Sequence, residues 1–446
     1  MRTLLRWLAA IVALLTAGLS LLHFVNPPRA EHRMALIMPK ALAGALAPLL
    51  ALAGALAGAI GLVLGAPLAG LAGLSGAILS AINVRGLLAP HGGLERAFGK
   101  DWASRLPPER RAALPAHRWT WLAPEPPAGR WQRDLVFATV PDGECGAGEK
   151  LLCDLWHPPQ GVTPSGLAVI YLHGSGWHLL DKDVGTRYFF GSLAAQGHTV
   201  MDVAYRLCPD VNLDGMNGDV RRAIAWLKDH AAEYGVDPNR IVLCGGSAGG
   251  HLALLAAYTP GYPQLTPADL AGRDLSVHGV ISCYGVSDMC MYYHNGEHAF
   301  PPQPDRPERV RSGPLDKLMG QLMNAMMGEV LVRQSDKLSK MSNQWMMGNL
   351  LGGSPDQAPE RYALASPVNH VSRDCPPTLL LHGTHDSVAP IEGSRALAGR
   401  LQAAGVPVVF VEYPNTQHAF DLLLPRLAPV AQAAQYEVEH FLAALS

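Results

Sequence analysis

Residues 41 to 84 form a run of 44 positions without a single Asp, Glu, Lys or Arg, dominated by Ala, Leu and Gly. One helix needs roughly 20 apolar residues to cross a bilayer, so this run has length for two crossings. Gly61, Gly65 and Pro67 punctuate its middle. It therefore reads as two spans, about 42 to 62 and 66 to 84, joined by a tight turn. Residues 7 to 25 are a third candidate span, following Arg2 and Arg6. A basic start before an apolar stretch also marks a signal peptide, but no convincing small-x-small cleavage site follows, and an uncleaved span is preferred. No acidic or basic side chain lies inside the spans, so they offer nothing to an ion or proton pathway and read as an anchor. Gly54 and Gly58, and Gly61 and Gly65, are four apart, a spacing that lets helix backbones approach closely. A span that is simply rich in Ala and Gly is the plainer reading.

With three spans, Arg2 and Arg6 fall on one side, and Arg29, Arg33, Lys40, Arg85, Arg96 and Lys100 on the other. That excess favours the cytoplasmic side for the large C-terminal part, and counting one span fewer reverses it. Residues 85 to 133 then carry nine basic residues against four acidic ones, interleaved with Trp102, Trp119, Trp121 and Trp131. Basic residues and Trp beside a span suit the lipid headgroup layer. A Pro-rich connector packed on the main domain accounts for them equally well, and both readings stay open.

The chain as a whole has 446 residues, 49% hydrophobic and 16% charged, with a net charge of −2. This excludes a disordered or coiled-coil protein, and no basic excess points to nucleic acid. The seven cysteines are scattered and form neither CxxC pairs nor metal-like spacings, which argues against a disulfide framework or a zinc site. From about residue 134 short apolar stretches alternate with helical ones. Strands are predicted at 135–140, 151–157, 167–172, 199–205, 241–244, 279–284, 378–382 and 407–413, and helices at 184–196, 217–234, 248–258, 391–404 and 427–444. Alternation of this kind implies a largely parallel sheet covered on both faces, here an α/β domain over 134–446. The first two strands have no helix between them and should pair antiparallel at an edge.

Residues 241 to 251 read Ile-Val-Leu-Cys-Gly-Gly-Ser-Ala-Gly-Gly-His, an apolar strand running through Gly-x-Ser-x-Gly into a helix. That context exposes Ser247 at a strand tip as a candidate nucleophile. A serine hydroxyl needs a base and an orienting acid. Asp386 follows the strand beginning at Thr378, and His418 follows the last strand, in the order Ser, Asp, His that this kind of fold uses. His382 and His385 lie beside the acid but precede the last strand, and Asp421 and Asp288 are weaker candidates for the acid. Acyl transfer also needs donors for an oxyanion. The loop His173-Gly174-Ser175-Gly176-Trp177 after the third strand supplies small residues whose amides are free, and the amide of Ala248 follows the nucleophile.

Taken together, His173-Gly-Ser-Gly-Trp177, Gly245-Gly-Ser-Ala-Gly-Gly-His251, His382-Gly-Thr-His-Asp386 and Gln417-His418-Ala-Phe420 resemble the hormone-sensitive-lipase-like carboxylesterases of the α/β-hydrolase superfamily. The likeness covers about residues 134 to 446 and is closest to the acetyl-ester and feruloyl-ester hydrolase branch and to membrane-anchored bacterial esterases. It implies an eight-stranded, mostly parallel α/β-hydrolase sheet with a helical cap. It also implies Ser247 as nucleophile, His418 as base, Asp386 as acid, the amides of Ser175, Gly176 and Ala248 as oxyanion hole, and His173, Gly174 and Trp177 beside the substrate. Ser175 stands where the family usually has Gly, and a left-handed backbone there would cost it something.

Residues 289 to 350 interrupt the alternation and hold Met289, Met291, Met319, Met323, Met326, Met327, Met341, Met346 and Met347. Flexible thioethers suit a flap over an acyl pocket, although an amphipathic helix pair would use them as core. The expectation is thus a membrane-anchored serine esterase needing no metal or organic cofactor, whose partners are a small-molecule or lipid ester and the bilayer, with no nucleic acid and a homo-oligomer left open. Amidase, formamidase, prenylcysteine methyl esterase and polysaccharide deacetylase are rival chemistries on similar triads. A binding module with an idle triad and a membrane scaffold are rivals of another class.

Overall fold

A computed structural model of the protein describes residues 1–28, 30–299, 334, 337 and 341–445. Eight strands form one sheet: β1 Trp131–Thr139, β2 Lys150–Trp156, β3 Gly166–Leu172, β4 Thr199–Ala204, β5 Val236–Gly246, β6 Gly279–Cys283, β7 Thr378–Gly383 and β8 Val408–Tyr413. Their order is β1-β2-β4-β3-β5-β6-β7-β8. β1 and β2 pair antiparallel at the edge, as expected, and β2 also runs antiparallel to β4, while β4, β3 and β5 to β8 are parallel. This is the α/β-hydrolase architecture.

The apolar runs of the inner strands exist because both faces are covered. Side chains alternate between faces along a strand. Ile170, Leu243, Val280 and Leu380 meet the helices Leu213–Asp229, Ala248–Tyr258 and Ile391–Ala403 on one side. Their neighbours Val169, Val242, Ile281 and Leu379 meet the helices Arg187–Ala195 and Pro429–Ala444 on the other. Pairing Leu172 with Gly245, Gly246 with Cys283 and Gly383 with Tyr413 brings the carboxyl ends of the parallel strands to one edge. In open α/β sheets that edge is where ligands bind.

The helices Arg2–Leu22 and Pro67–Leu87 are long and apolar enough to cross a membrane. The span expected over 42–62 is not one straight helix. Ile37–Ala45 and Ala47–Val63 are bent by 71° and make a third span only if taken as one. The turn before Pro67 is made at Gly65, whose φ is 73°. At Gly54, Gly58 and Gly61 the glycines reflect close packing within the chain rather than mere composition, whereas Gly65 serves the turn. A Cβ on Gly54 would lie 2.7 Å from the carbonyl oxygen of Gly73, and one on Gly73 would lie 2.6 Å from that of Gly54. Real Cβ atoms do not approach so closely, so these two helices touch through bare backbone.

Much of the bridge over 85–133 lies on the globular part. Leu87, Leu94, Trp102 and Leu106 enter the second core layer, and Trp119 donates its indole N–H to the carbonyl oxygen of Leu427 at 3.0 Å. Trp131 opens β1 and stacks on Trp156 at 4.7 Å, so the sheet starts at residue 131, ahead of the expected 135. Trp121 is 55% exposed and is the one of the four indoles that faces outward. Between β6 and β7 the described parts of the expected cap are the helices Met289–Ala299 and Asn343–Leu351. Met319, Met323, Met326 and Met327 lie outside the described residues.

Candidate active site

β5 delivers Ser247 at a turn that forces it to φ 53° and ψ −119°, a backbone conformation that an L-residue holds only under tight constraint. The constraint is visible. The amide of Ser247 donates to the carbonyl oxygen of Cys283 at 2.9 Å, and the helix Ala248–Tyr258 begins at once. A Cβ on Gly249 would stand 1.9 Å from the carbonyl oxygen of Leu172, which is why no other residue fits two positions after the serine.

His418, in the loop after β8, has Nε2 2.9 Å from Ser247 Oγ and Nδ1 2.7 Å from Asp386 Oδ2. Nδ1–H donates to the carboxylate, which leaves Nε2 to accept from the hydroxyl. Asp386 Oδ1 accepts from the amides of Val388 and Ala389 at 2.8 and 2.9 Å, which fixes the carboxylate plane. Burial alone would push this carboxyl up. His418 and His382 outweigh burial and hold it well below the usual carboxylate range. His382 Nε2 lies 3.3 Å from Asp386 Oδ2 and 2.9 Å from the carbonyl oxygen of Ala389, so this buried imidazole braces the Asp386 carboxylate. His385 faces away from the serine, with Nδ1 against Lys40 Nζ.

The other acid candidates are placed elsewhere. Asp421 accepts from the phenol of Tyr284 at 2.5 Å, and burial raises its carboxyl despite that bond. Asp288 accepts from the amide of Met291 at the start of its helix. Tyr284 was not expected at the site. Its ring lies 4.6 Å from that of His418, and it lines the same cavity.

Left-handed backbone in the loop after β3 falls on Gly176 and Trp177, with φ 55° and 63°, and not on Ser175. The cost expected at Ser175 therefore does not arise. Its hydroxyl instead accepts from the amide of Trp177 at 2.9 Å and bonds the phenol of Tyr205 at 2.8 Å. Among the described residues the amides of Gly174, Ser175, Gly176 and Ala248 have no acceptor. His173 is buried, which pulls its imidazole down to about 4, and its Nε2 has no partner among the described residues. Trp177 is 1% exposed and does not reach the cavity; its indole N–H donates to His251 Nδ1 at 3.1 Å. Tyr205 directly follows β4, and its position at the end of a predicted strand was the only sequence signal for it.

Ser247, His418, His173, Gly174, Ser175 and Gly176 border a cavity of about 280 Å³. Its remaining wall is mostly apolar, with Leu179, Leu180, Val184, Tyr292, Met341 and Met346. An imidazole on a serine, free amides beside it and an apolar chamber can together carry out acyl transfer.

A family model described as BD-FAE matches residues 153–326 and 324–401. The chain is 33% identical over 351 residues to a probable carboxylic ester hydrolase, LipM, of Mycobacterium tuberculosis, covering 76% of this chain and 70% of that protein. It is 30% identical over 286 residues to esterase LipC of the same organism, covering 63% of this chain and 60% of LipC. Two solved structures share the fold, each with a TM-score of 0.50. One is a truncated carbohydrate esterase from gut microbiota, at 20% identity over 73% of this chain and 99% of that one. The other is esterase B of Lactobacillus rhamnosis, at 22% identity over 72% of this chain and 88% of that one. The chain therefore belongs to the BD-FAE family, on the α/β-hydrolase fold.

Proposed function

We infer that this carboxylic ester hydrolase works as a membrane-anchored serine esterase, through a Ser247–His418–Asp386 triad and an acyl-enzyme. The observation that carries the reading is the unbroken chain from Ser247 Oγ to His418 Nε2 at 2.9 Å and from His418 Nδ1 to Asp386 Oδ2 at 2.7 Å. Ser247 Oγ attacks the ester carbonyl as His418 takes its proton, and the depressed Asp386 carboxylate stabilises the imidazolium that results. Ser175, Gly176 and Ala248 are the proposed amide donors to the oxyanion, each worth about 3 kcal/mol if it behaves like a measured donor of this type. The alcohol leaves with the proton from His418, and water repeats the cycle on the acyl group.

The apolar wall from Leu179 to Met346 suits a short to medium acyl chain, and Met341 and Met346 bring the cap to that wall. Anchoring is supported by the helices Arg2–Leu22 and Pro67–Leu87, which turn Leu8, Ile11, Leu15, Leu71, Ile78 and Ile82 outward. With Ile37–Ala45 and Ala47–Val63 counted together as a third span, Lys and Arg placement favours the cytoplasmic side for the catalytic part, and with two spans it favours the other side.

The test is hydrolysis of p-nitrophenyl esters from C2 to C16 by the detergent-solubilised full chain beside Ser247→Ala. Turnover that peaks at short to medium chains and vanishes in the variant supports the reading. A variant as active as the wild type overturns the triad, and turnover of formyl-amine or methyl ester substrates in place of the series moves the chemistry to an amidase or methyl esterase.

A further inference from the structure

Two polar side chains near the ends of the uncharged run, Lys40 just before it and Asn83 close to its end, land on the loops that carry the proposed acid and base. Asn83, in the last turns of Pro67–Leu87 and 4% exposed, accepts from Asn415 Nδ2 at 3.2 Å. Asn415 lies three residues before His418, is held at φ 57°, and donates its amide to Thr384 Oγ1 at 2.9 Å. Lys40, in Ile37–Ala45 and 3% exposed, donates to His385 Nδ1 at 2.5 Å and to the carbonyl oxygen of Val25 at 2.8 Å. His385 is the residue before Asp386, and burial beside Lys40 holds its imidazole down near 4, in the neutral form that can accept.

Those two loops form one unit. The amide of Thr384 donates to Tyr413, that of His385 donates to Thr416 at 3.0 Å, and Ser387 Oγ bonds Gln417 Oε1 at 3.0 Å. The N-terminal helices press on the same unit from outside. Ala41, Leu42 and Ala45 pack against Leu423, Ala428 and Ala431, and a Cβ on Gly86 would lie 3.2 Å from Pro414 Cγ. His418 lines a second small cavity, about 30 Å³, whose far wall includes Lys40 and Asn83. The catalytic loop is thus the partition between the acyl chamber and the N-terminal helices. A buried ammonium is costly unless partnered. A segment that only tethered the enzyme would have no use for one here.

We propose that the N-terminal helices complete the active site, with Asn83 and Lys40 acting as positioning residues that hold the His418 and Asp386 loops in register. This rests on the triad reading. Small displacements of a catalytic group cost rate more than binding, by up to about 100-fold for 1 Å.

The experiment compares full-length wild type, Asn83→Leu, Lys40→Met, Asn83→Asp and Ser247→Ala in detergent, on p-nitrophenyl butyrate, with melting curves alongside. Asn83→Leu and Lys40→Met are expected to lose on the order of 10-fold in kcat with little change in KM. Asn83→Asp, which keeps the acceptor oxygen, is expected to retain most of the rate. Asn415→Gly, which suits the left-handed backbone, is expected to cost as much as Asn83→Leu, and combining the two should cost no more than either. Wild-type kcat in both Asn83→Leu and Lys40→Met, with Ser247→Ala inactive, overturns the inference and leaves the triad standing. Rate loss that only follows loss of folded protein, or that adds fully in the Asn83–Asn415 pair, also overturns it. Full activity in Ser247→Ala would instead remove the triad on which it rests.

Discussion

Tyr205 donates its phenolic proton to the carbonyl oxygen of His173 over 2.7 Å, while its ring lies flat on the His173 imidazole with centroids 4.4 Å apart. Since that proton is committed, Ser175 Oγ must donate to the phenolic oxygen, and it accepts in turn from the amide of Trp177. One relay therefore sets the curvature of the loop that offers its free amides to the cavity.

Tyr205→Phe keeps the stacking and removes the relay. The buried carbonyl and hydroxyl left without a partner cost about 1–3 kcal/mol of stability. Steady-state kinetics on a C4 ester should show kcat lowered by on the order of 10-fold, because a loosened donor acts on the oxyanion and not on the ground state. An unchanged kcat would mean that the loop holds its shape without Tyr205.

Asp386→Asn should lower kcat by on the order of 10⁴, the loss expected when an amide N–H faces Nδ1 and forces the wrong imidazole tautomer. Asp421→Asn should stay close to wild type, since Asp421 meets Tyr284 and not the imidazole nitrogen. The reverse ranking of the two variants would reassign the acid.

Val184 is half-buried at the cavity wall, where a larger side chain can be added without opening the core. Val184→Trp should leave hydrolysis of C2 esters nearly intact and reduce kcat/KM on C8 by at least about 10-fold, given about 0.8 kcal/mol per buried methylene. Equal losses on both chain lengths would place the acyl chain elsewhere.

The eight strands were legible because each is an apolar run bounded by Gly, Pro or charge, and runs covered on both faces carry that signature most strongly. Where a strand carries polar residues, the reading fell short. Gln132, Arg133 and Asp134 hid the start of β1, and Asp237 to Arg240 hid the first half of β5. That Ser247, His418 and Asp386 would come together was readable because a strained turn demands glycines at fixed offsets, and partners for such a serine follow in a fixed chain order. No such local rule links Tyr205 to His173, 32 residues away, or Lys40 to His385, 345 residues away. Those contacts arise only when the sheet and the N-terminal helices close on each other, and they carry no periodicity in the sequence. The bend at Leu46, by contrast, had a local signal that went unused, since Pro48 stands in the first turn of Ala47–Val63, where it starts a helix more readily than it continues one.

Glu439 is 3% exposed in the helix Pro429–Ala444, with Gln196 and Gln435 as its partners. Burial raises its carboxyl from 4.5 to about 7, and the two amide bonds only partly oppose it. The folded state therefore keeps a proton that the unfolded state releases, and stability falls as pH rises through the window from 4.5 to about 7. The full fall is about 3 kcal/mol at 1.36 kcal/mol per unit. Glu439→Gln has nearly the shape of the protonated acid and no charge to desolvate, and it keeps both contacts once one partner amide, Gln196 or Gln435, turns its oxygen toward the new NH2. Its melting temperature in detergent should match wild type at pH 4.5 and exceed it at pH 8, with the gap opening across that window. A constant offset at all pH values would show that Glu439 acts through packing alone, and a variant that loses stability only at pH 8 would show that the carboxylate is stabilised where it sits.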